Sequence, residues 1–517
     1  MMIWTIARKE FLTSLLTYRF AVGLILCLVA ATVGTLSVVQ DYQNRQQAYQ
    51  EEVDKYEKSL EERTFLAKMV ANIQVFRPPI PLAVFSLGSD RWQGNVVKLS
   101  HHRVPVQANW LGSANPYLAV FRSIDVTTVV QVILGLLALL FACDAVSGQK
   151  EEGTLKMMLA NRLPRDQFLL GTAIGDLGVL GAALATSFLA ALLIVQATLG
   201  ASTSLDAVAI FTIFLISLLY LTAIYAIGLL LSTASHRAAT ALVFALFFWT
   251  TAIAIYPNGV AYLIDNLFPM RLLEKQARDQ VSEFNAEFHR QTDELTTQVL
   301  ERPYWGSQFG SHGTYGGGVS GYYWGNFRTA VEAEEIRRRL QERGQAVPDY
   351  LREKTPEEIQ TILPPLQKFF GRMERLRIEY ADRIWTSAWR PVVEHMQRAS
   401  AWQRTLAVLS PAGAYAEATA IVAGTDRGAY WHFLEATHRY RRELIAHLEE
   451  ENLFEARAWF NDQKEKGDLT GFPRFFPPRE GLWKKLGRAR YSLTALLLFN
   501  LVGFLGAYWR FRRYDVR

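Results

Sequence analysis

Six stretches of this chain are long and apolar enough to cross a bilayer, and two polar blocks interrupt them. The runs are residues 20–39, 126–143, 168–198, 207–231, 239–256 and 491–509. A hydrocarbon layer about 30 Å thick takes roughly 20 mostly apolar residues as helix, because a backbone in lipid must satisfy its own hydrogen bonds. Each run therefore reads as a membrane span. Residues 40–125 and 257–490 are instead rich in Glu, Arg, Gln and helical spacing. Half of the 517 residues are hydrophobic and a fifth are charged, which excludes an ordinary soluble enzyme once the segregation is seen. The expected fold is an all-α polytopic membrane protein: six transmembrane helices plus a mostly helical extracytoplasmic domain built from two insertions.

Lys and Arg in the short connections set the expected orientation. Arg8, Lys9 and Arg19 precede the first span, Lys150, Lys156, Arg162 and Arg165 follow the second, Arg237 follows the fourth, and Arg510, Arg512, Arg513 and Arg517 close the chain. Both termini (1–19 and 510–517) and the 144–167 connection are thus placed in the cytoplasm, and insertions 40–125 and 257–490 outside. Lys484, Lys485, Arg488 and Arg490 oppose this at the last span, but long loops escape the rule. A signal peptide is the competing reading of the N-terminus; a full-length first span and five further spans argue against it. Residues 402–424, "WQRTLAVLSPAGAYAEATAIVAG", imitate a seventh span, yet Arg404, Pro411 and Glu417 favour an interfacial or packed helix.

Cys27 and Cys143, the two cysteines, both fall inside spans, so no disulfide is expected in the outer insertions. The net charge of +6 suggests anionic lipid rather than nucleic acid as a partner.

The connection "DAVSGQKEEGTLKMMLANRLPRDQ", Asp144 to Gln167, carries more than a turn needs. Ala145, Leu155, Met158 and Leu159 fit one apolar stripe near helical spacing, Gly153 and Pro164 punctuate it, and Glu151, Glu152 and Lys156 face water. Such a segment has the form of a short docking helix.

An acidic pair, Gly-Thr-Leu, a few apolar residues and Pro-Arg, set between two spans, resembles the permease subunit of ABC-2 type transporters, from the subgroup with large extracytoplasmic insertions. The matching positions are Glu151 or Glu152, Gly153, Thr154, Leu155, Pro164 and Arg165, with Gln149 where members often place Glu; as an ATPase-coupling helix the segment would set Glu151 and Glu152 at the rim of the partner's groove and Leu155 and Leu159 on its apolar floor. The N-terminal "IARKEFLTSLLTYRF" is similar to the family's interfacial elbow helix, and "RPPIPLAVFSLG" and "LSPAGAYAEATAIVAGTD" to outer segments of permeases like those of copper-maturation and gliding-motility operons. The resemblance implies a permease in the bacterial inner membrane, exporting cargo and dimerising with a second permease copy. It also implies an ABC ATPase as a separate partner that holds ATP and Mg. No cofactor, metal or catalytic residue is expected in this chain: its glycine-rich run, "SHGTYGGGVSG", lacks the Lys of a phosphate-binding loop. The alternative is a non-transporting membrane scaffold or sensor with a large extracytoplasmic domain.

Smaller features are read the same way. Trp4, Ala7, Phe11 and Leu15 give the elbow an apolar face against Thr5, Arg8, Lys9 and Thr13, though a plain extension of the first span explains it as well. Asp176, the one acid well inside an apolar run, is either a structural anchor or a transport residue. Gly171 and Gly175 form a small-residue pair suited to close helix packing. His101 and His102 read as surface residues, since adjacent histidines without a spaced third ligand are a weak metal signal. The Tyr304 to Phe327 segment reads as a flexible linker, or as a platform stacking on a sugar or lipid headgroup. Stalks rising from the first and fifth spans are expected to pack as one domain.

Overall fold

The computed structural model describes residues 2–61, 66–109, 124–160, 164–200, 205–300, 337–347, 356–460 and 471–514. Six helices carry an apolar window of spanning length, and each continues past the run that betrayed it. Helix α1 is Met2–Leu15 and α2 Tyr18–Glu61. At 1.5 Å per residue the 44-residue α2 is about 66 Å long, twice the hydrocarbon thickness. After α3 (Leu66–Val70) comes an antiparallel pair, β1 (Ile73–Phe76) and β2 (Val96–Leu99). β2 lies within the stretch "NVVKL".

Helix α4, Val126–Glu151, starts on Asp125, whose carboxylate caps the free Thr128 amide. Helices α5 (Thr154–Ala160), α6 (Arg165–Leu199) and α7 (Ala207–Ala234) follow. Next come α8 (residues 238–267, with a π turn at Thr251–Ile255) and α9 (Met270–Leu300). Helices α10 (Pro356–Ile384) and α11 (Arg390–Ala407) run on through a π turn at Trp385–Trp389. The chain closes with α12 (Pro411–Ala423), α13 (Arg427–Glu450), α14 (Arg457–Phe460) and α15 (Leu482–Arg512).

The largest core lies among the spans α2, α4, α6, α7, α8 and α15 together with α12. Helices α11 and α12 form a hairpin that enters this bundle and leaves by the same end. Its turn is fixed by Ser410 Oγ donating to the Ala252 carbonyl (3.0 Å) and Tyr256 OH donating to Leu406 (2.7 Å). Tyr415 then stacks on Tyr220, 4.5 Å between centroids, and hydrogen-bonds Ser217 at 2.8 Å. Ser217 lies about 15 Å in from the start of α7. The 13 residues of α12 reach only about 20 Å, too short to cross. Residues 402–424 are therefore a packed helix with its approach, and the two charges inside the stretch answer each other: Arg404 and Glu417 pair at 3.1 Å. The opposing basic cluster at the start of α15 is also consumed locally. Lys485 caps α12 at the Val422 carbonyl (3.0 Å), and Arg488 holds Asp426 (2.7 Å) and Glu480 (2.8 Å).

The two insertions share one core. Leu66, Val70, Val75, Val97 and Leu99 of the first pack with Phe433, Leu444, Leu448, Phe454 and Trp459 of the second. The expected pairing of stalks is not what joins the insertions: the β pair and α13 build the shared core, while α9 packs on α10 rather than standing as a stalk beside α2. At the centre of the joint domain His101 Nε2 donates to the Glu374 carboxylate at 2.6 Å, both side chains 2% exposed. That overturns the surface reading of His101, and His102 beside it is partly buried too. The pair is buried because Arg441 binds the Ser100 and His101 carbonyls (3.3 and 2.6 Å), folding the turn after β2 against α13. No metal-binding cluster occurs among the described residues. The Tyr304 to Phe327 segment lies outside them.

Candidate functional site

Five helix ends and α5 converge where the chain begins and ends. Asp144 to Glu151 continue α4 without a break, so the segment expected to form one helix from Ala145 to Leu159 is two. Gly153 makes the break: its φ of +74° lies in the left-handed region, which an L side chain occupies only at a cost of about 1–2 kcal/mol. Thr154 restarts the helix, its hydroxyl bonded to the Gln149 carbonyl at 3.3 Å.

Leu155 turns inward. It is 0% exposed and belongs to the bundle core, with Met158 packed beside it. Its side chain thus fastens α5 to its own chain and is not on offer to a partner groove. Glu151, Glu152, Lys156 and Met157 face outward, Met157 being 66% exposed. The Leu159 side chain lies outside the described residues.

The charges on either side of α5, at the end of α4 and the start of α6, reach three further spans. Lys150 Nζ donates to the Thr233 and Ser235 carbonyls (2.7 and 2.9 Å), neutralising the negative end of α7. Glu151 accepts the free Ala238 amide at 3.0 Å, at the positive end of α8. Pro164 precedes the first residue of α6, and Arg165 binds the Phe511 and Arg512 carbonyls at the end of α15. Every one of these is a helix-terminus contact, so the ends of α4, α6, α7, α8 and α15 are joined on either side of α5.

Helix α1 lies along α6. A Cβ on Gly175 would fall 2.7 Å from the Ala7 carbonyl and 2.8 Å from Glu10, and one on Gly171 2.8 Å from Ile6. The small-residue pair thus admits α1, while Trp4, Leu12, Leu15 and Leu16 stay exposed beside it for the lipid boundary. Asp176 completes the joint. It is 4% exposed and accepts from Ser14 Oγ (2.6 Å) and Tyr225 OH (2.8 Å), tying α1, α6 and α7 through both carboxylate oxygens. Arg19 and Asp144 form a close ion pair between α2 and α4.

Sequence reasoning missed Met157 and the terminus-capping role of Lys150. A seven-residue helix is too short for its apolar period to say which Leu or Met points in.

The family model described as ABC-2 family transporter protein matches residues 4–317, and one described as Domain of unknown function (DUF3526) matches residues 328–477. No curated protein matches the chain.

Proposed function

The chain belongs to the ABC-2 family of transporter proteins, a family of multi-pass membrane transport subunits, and from that premise we propose that it is the permease half of an ATP-driven exporter. A separate ATPase subunit, carrying ATP and Mg, docks on the outward face of α5. The observation that carries this reading is the two-sidedness of that helix: Leu155 is locked into the bundle while Met157 stands exposed next to Lys156. A flexible thioether among charged neighbours suits a groove with an apolar floor and a polar rim. Thr154, Gly153, Pro164 and Arg165 shape and position the helix; they do not touch the partner.

A lever works only if the partner's nucleotide states contact it differently. Helix α5 meets that need through its anchors, because rotation or withdrawal by the ATPase is passed to helix ends by Leu155, Lys150, Glu151 and Arg165. ATPases of this kind close as pairs, so two permease copies are proposed, related by a two-fold axis. Both termini and α5 are assigned to the cytoplasmic side of a bacterial inner membrane, and the joint domain to the outside.

The test is copurification of the full-length chain with the ATPase encoded beside it. Met157→Asp is expected to insert normally and lose the ATPase, while Lys156→Ala keeps it. Retention of the ATPase and of wild-type transport by Met157→Asp would reject the docking face.

A further inference from the structure

A cavity of about 400 Å³ opens in the large domain, far along the chain from α5. It is lined by His102 and Arg103 from the turn after β2, Asn285 and Phe288 from α9, and Arg377 and Tyr380 from α10. Three segments distant in sequence meet there, within the 300–1,000 Å³ range of small-molecule sites.

Two of the lining groups are unanswered. The Tyr380 side chain is 3% exposed and its hydroxyl makes no hydrogen bond; His102 Nδ1 is likewise buried without a partner. Arg383 lies over the Tyr380 ring, 4.9 Å from its centroid, and Phe288 meets the same ring edge-on at 5.5 Å. These contacts fix the ring, and Arg383 is the polar side chain beside its hydroxyl. His102 is held in turn by the His101 ring, 4.8 Å away and nearly perpendicular. Buried polar groups are rarely left unpaired without a reason.

The charge balance in the wall is positive. Glu374, the acid beside His102, is already met by Arg377 (2.8 Å), His101 (2.6 Å) and the Trp459 indole (3.4 Å), and Glu287, on the Tyr380 side, pairs with Arg290 at 2.6 Å. Burial would raise the Glu374 carboxyl, but Arg377 and His101 outweigh burial and hold it down at about 2. Burial and the neighbouring His101 drive the His102 imidazole down to about 3, so it is neutral and offers Nδ1 as donor or acceptor according to tautomer. Arg103, exposed at the rim, supplies a cation.

We propose that this cavity binds a small organic anion, a carboxylate or phosphate monoester carried on a flat apolar ring. The acid group meets the Arg103 guanidinium in a charge-assisted contact, the ring lies against Phe288, and Tyr380 OH and His102 Nδ1 hydrogen-bond the ligand's oxygens. This site stands on the large domain alone and does not depend on how the ATPase docks.

Phenyl phosphate is the probe, titrated by calorimetry into the full-length protein in phosphatidylcholine nanodiscs. Saturable binding is expected, weakened at least tenfold by Arg103→Gln and at least threefold by Tyr380→Phe. Arg290→Gln, which lines a different cavity between α9 and α10, should bind as the wild type does, and neutral benzamide at least tenfold more weakly than phenyl phosphate. Should Tyr380→Phe fail to fold, the exposed Arg103 still decides the matter. Absence of saturable binding, equal binding by benzamide, or indifference to Arg103→Gln would overturn the site.

Discussion

Leu155 and Met157 stand two positions apart on one short helix and face opposite ways. Their substitutions should therefore separate stability from coupling. Leu155→Ala removes a side chain buried in the bundle and is expected to cost about 2–5 kcal/mol, read as a lower melting temperature. Met157→Ala should leave the melting temperature unchanged and weaken ATPase retention. Equal melting losses in the two variants would show that α5 is not two-sided. His102 makes a second residue-scale prediction. Its folded pKa lies near 3 against 6.5 unfolded, so below pH 6.5 the unfolded chain holds a proton that the folded domain lacks. Stability then falls as pH falls from 6.5 towards 3. Glu374, lowered from 4.5 to about 2, adds its own loss only below pH 4.5. Melting curves between pH 6.5 and 5 should slope less in His102→Gln than in the wild type. Parallel slopes would refute the assignment.

Packing of α1 on α6 is decided at three glycines, and they are not equivalent. A Cβ at Gly175 meets the Ala7 backbone, which has nowhere to go; one at Gly178 meets only the Phe11 ring at 3.1 Å, which can turn. Gly175→Ala is expected to destabilise by about 1–3 kcal/mol and Gly178→Ala by clearly less, compared by thermal melting in the same nanodiscs. If Gly178→Ala proves the worse, α1 does not sit where Asp176 and Ser14 hold it. The elbow was legible as an amphipathic segment, but its packed stripe is Ala7, buried, with Ile3, Ile6 and Phe11 half-buried beside it and Trp4 left out. Several phases of a 14-residue helix look equally apolar, and only the partner chooses among them. The 402–424 stretch shows the reverse: Arg404, Pro411 and Glu417 in the sequence already told against a span, and the structure added why, by pairing the two charges.

At the scale of the molecule, the proposed topology places the joint domain on one side and α5 on the other. Lys98→Cys and Glu435→Cys, one on each insertion and both exposed, should be labelled by an impermeant maleimide in intact cells. Lys156→Cys should be labelled only after the membrane is opened. Labelling of all three from outside would invert the arrangement. Because Leu99 and Val97 of the first insertion share a core with Phe433 and Trp459 of the second, removing residues 66–109 should also unfold the second insertion, seen as protease sensitivity of α13. Survival of a protected α13 would mean two independent domains.

The sequence by itself determined the spans and their number, because hydrocarbon penalises every unpaired backbone group and each crossing must be an apolar helix of sufficient length. It also marked the 144–167 connection, since charged and turn-forming residues between two spans are conspicuous against apolar runs. Helix ends were not legible: α2 and α6 run on past their apolar windows because helix propensity does not stop where hydropathy does. Only the tertiary structure decided which side of α5 is buried and that His101 and Glu374, 273 positions apart, form one buried pair. Only it brought His102, Phe288 and Tyr380 around one cavity. Those facts depend on contacts between segments far apart in the chain, and no local pattern of residues encodes the partner that a side chain will meet.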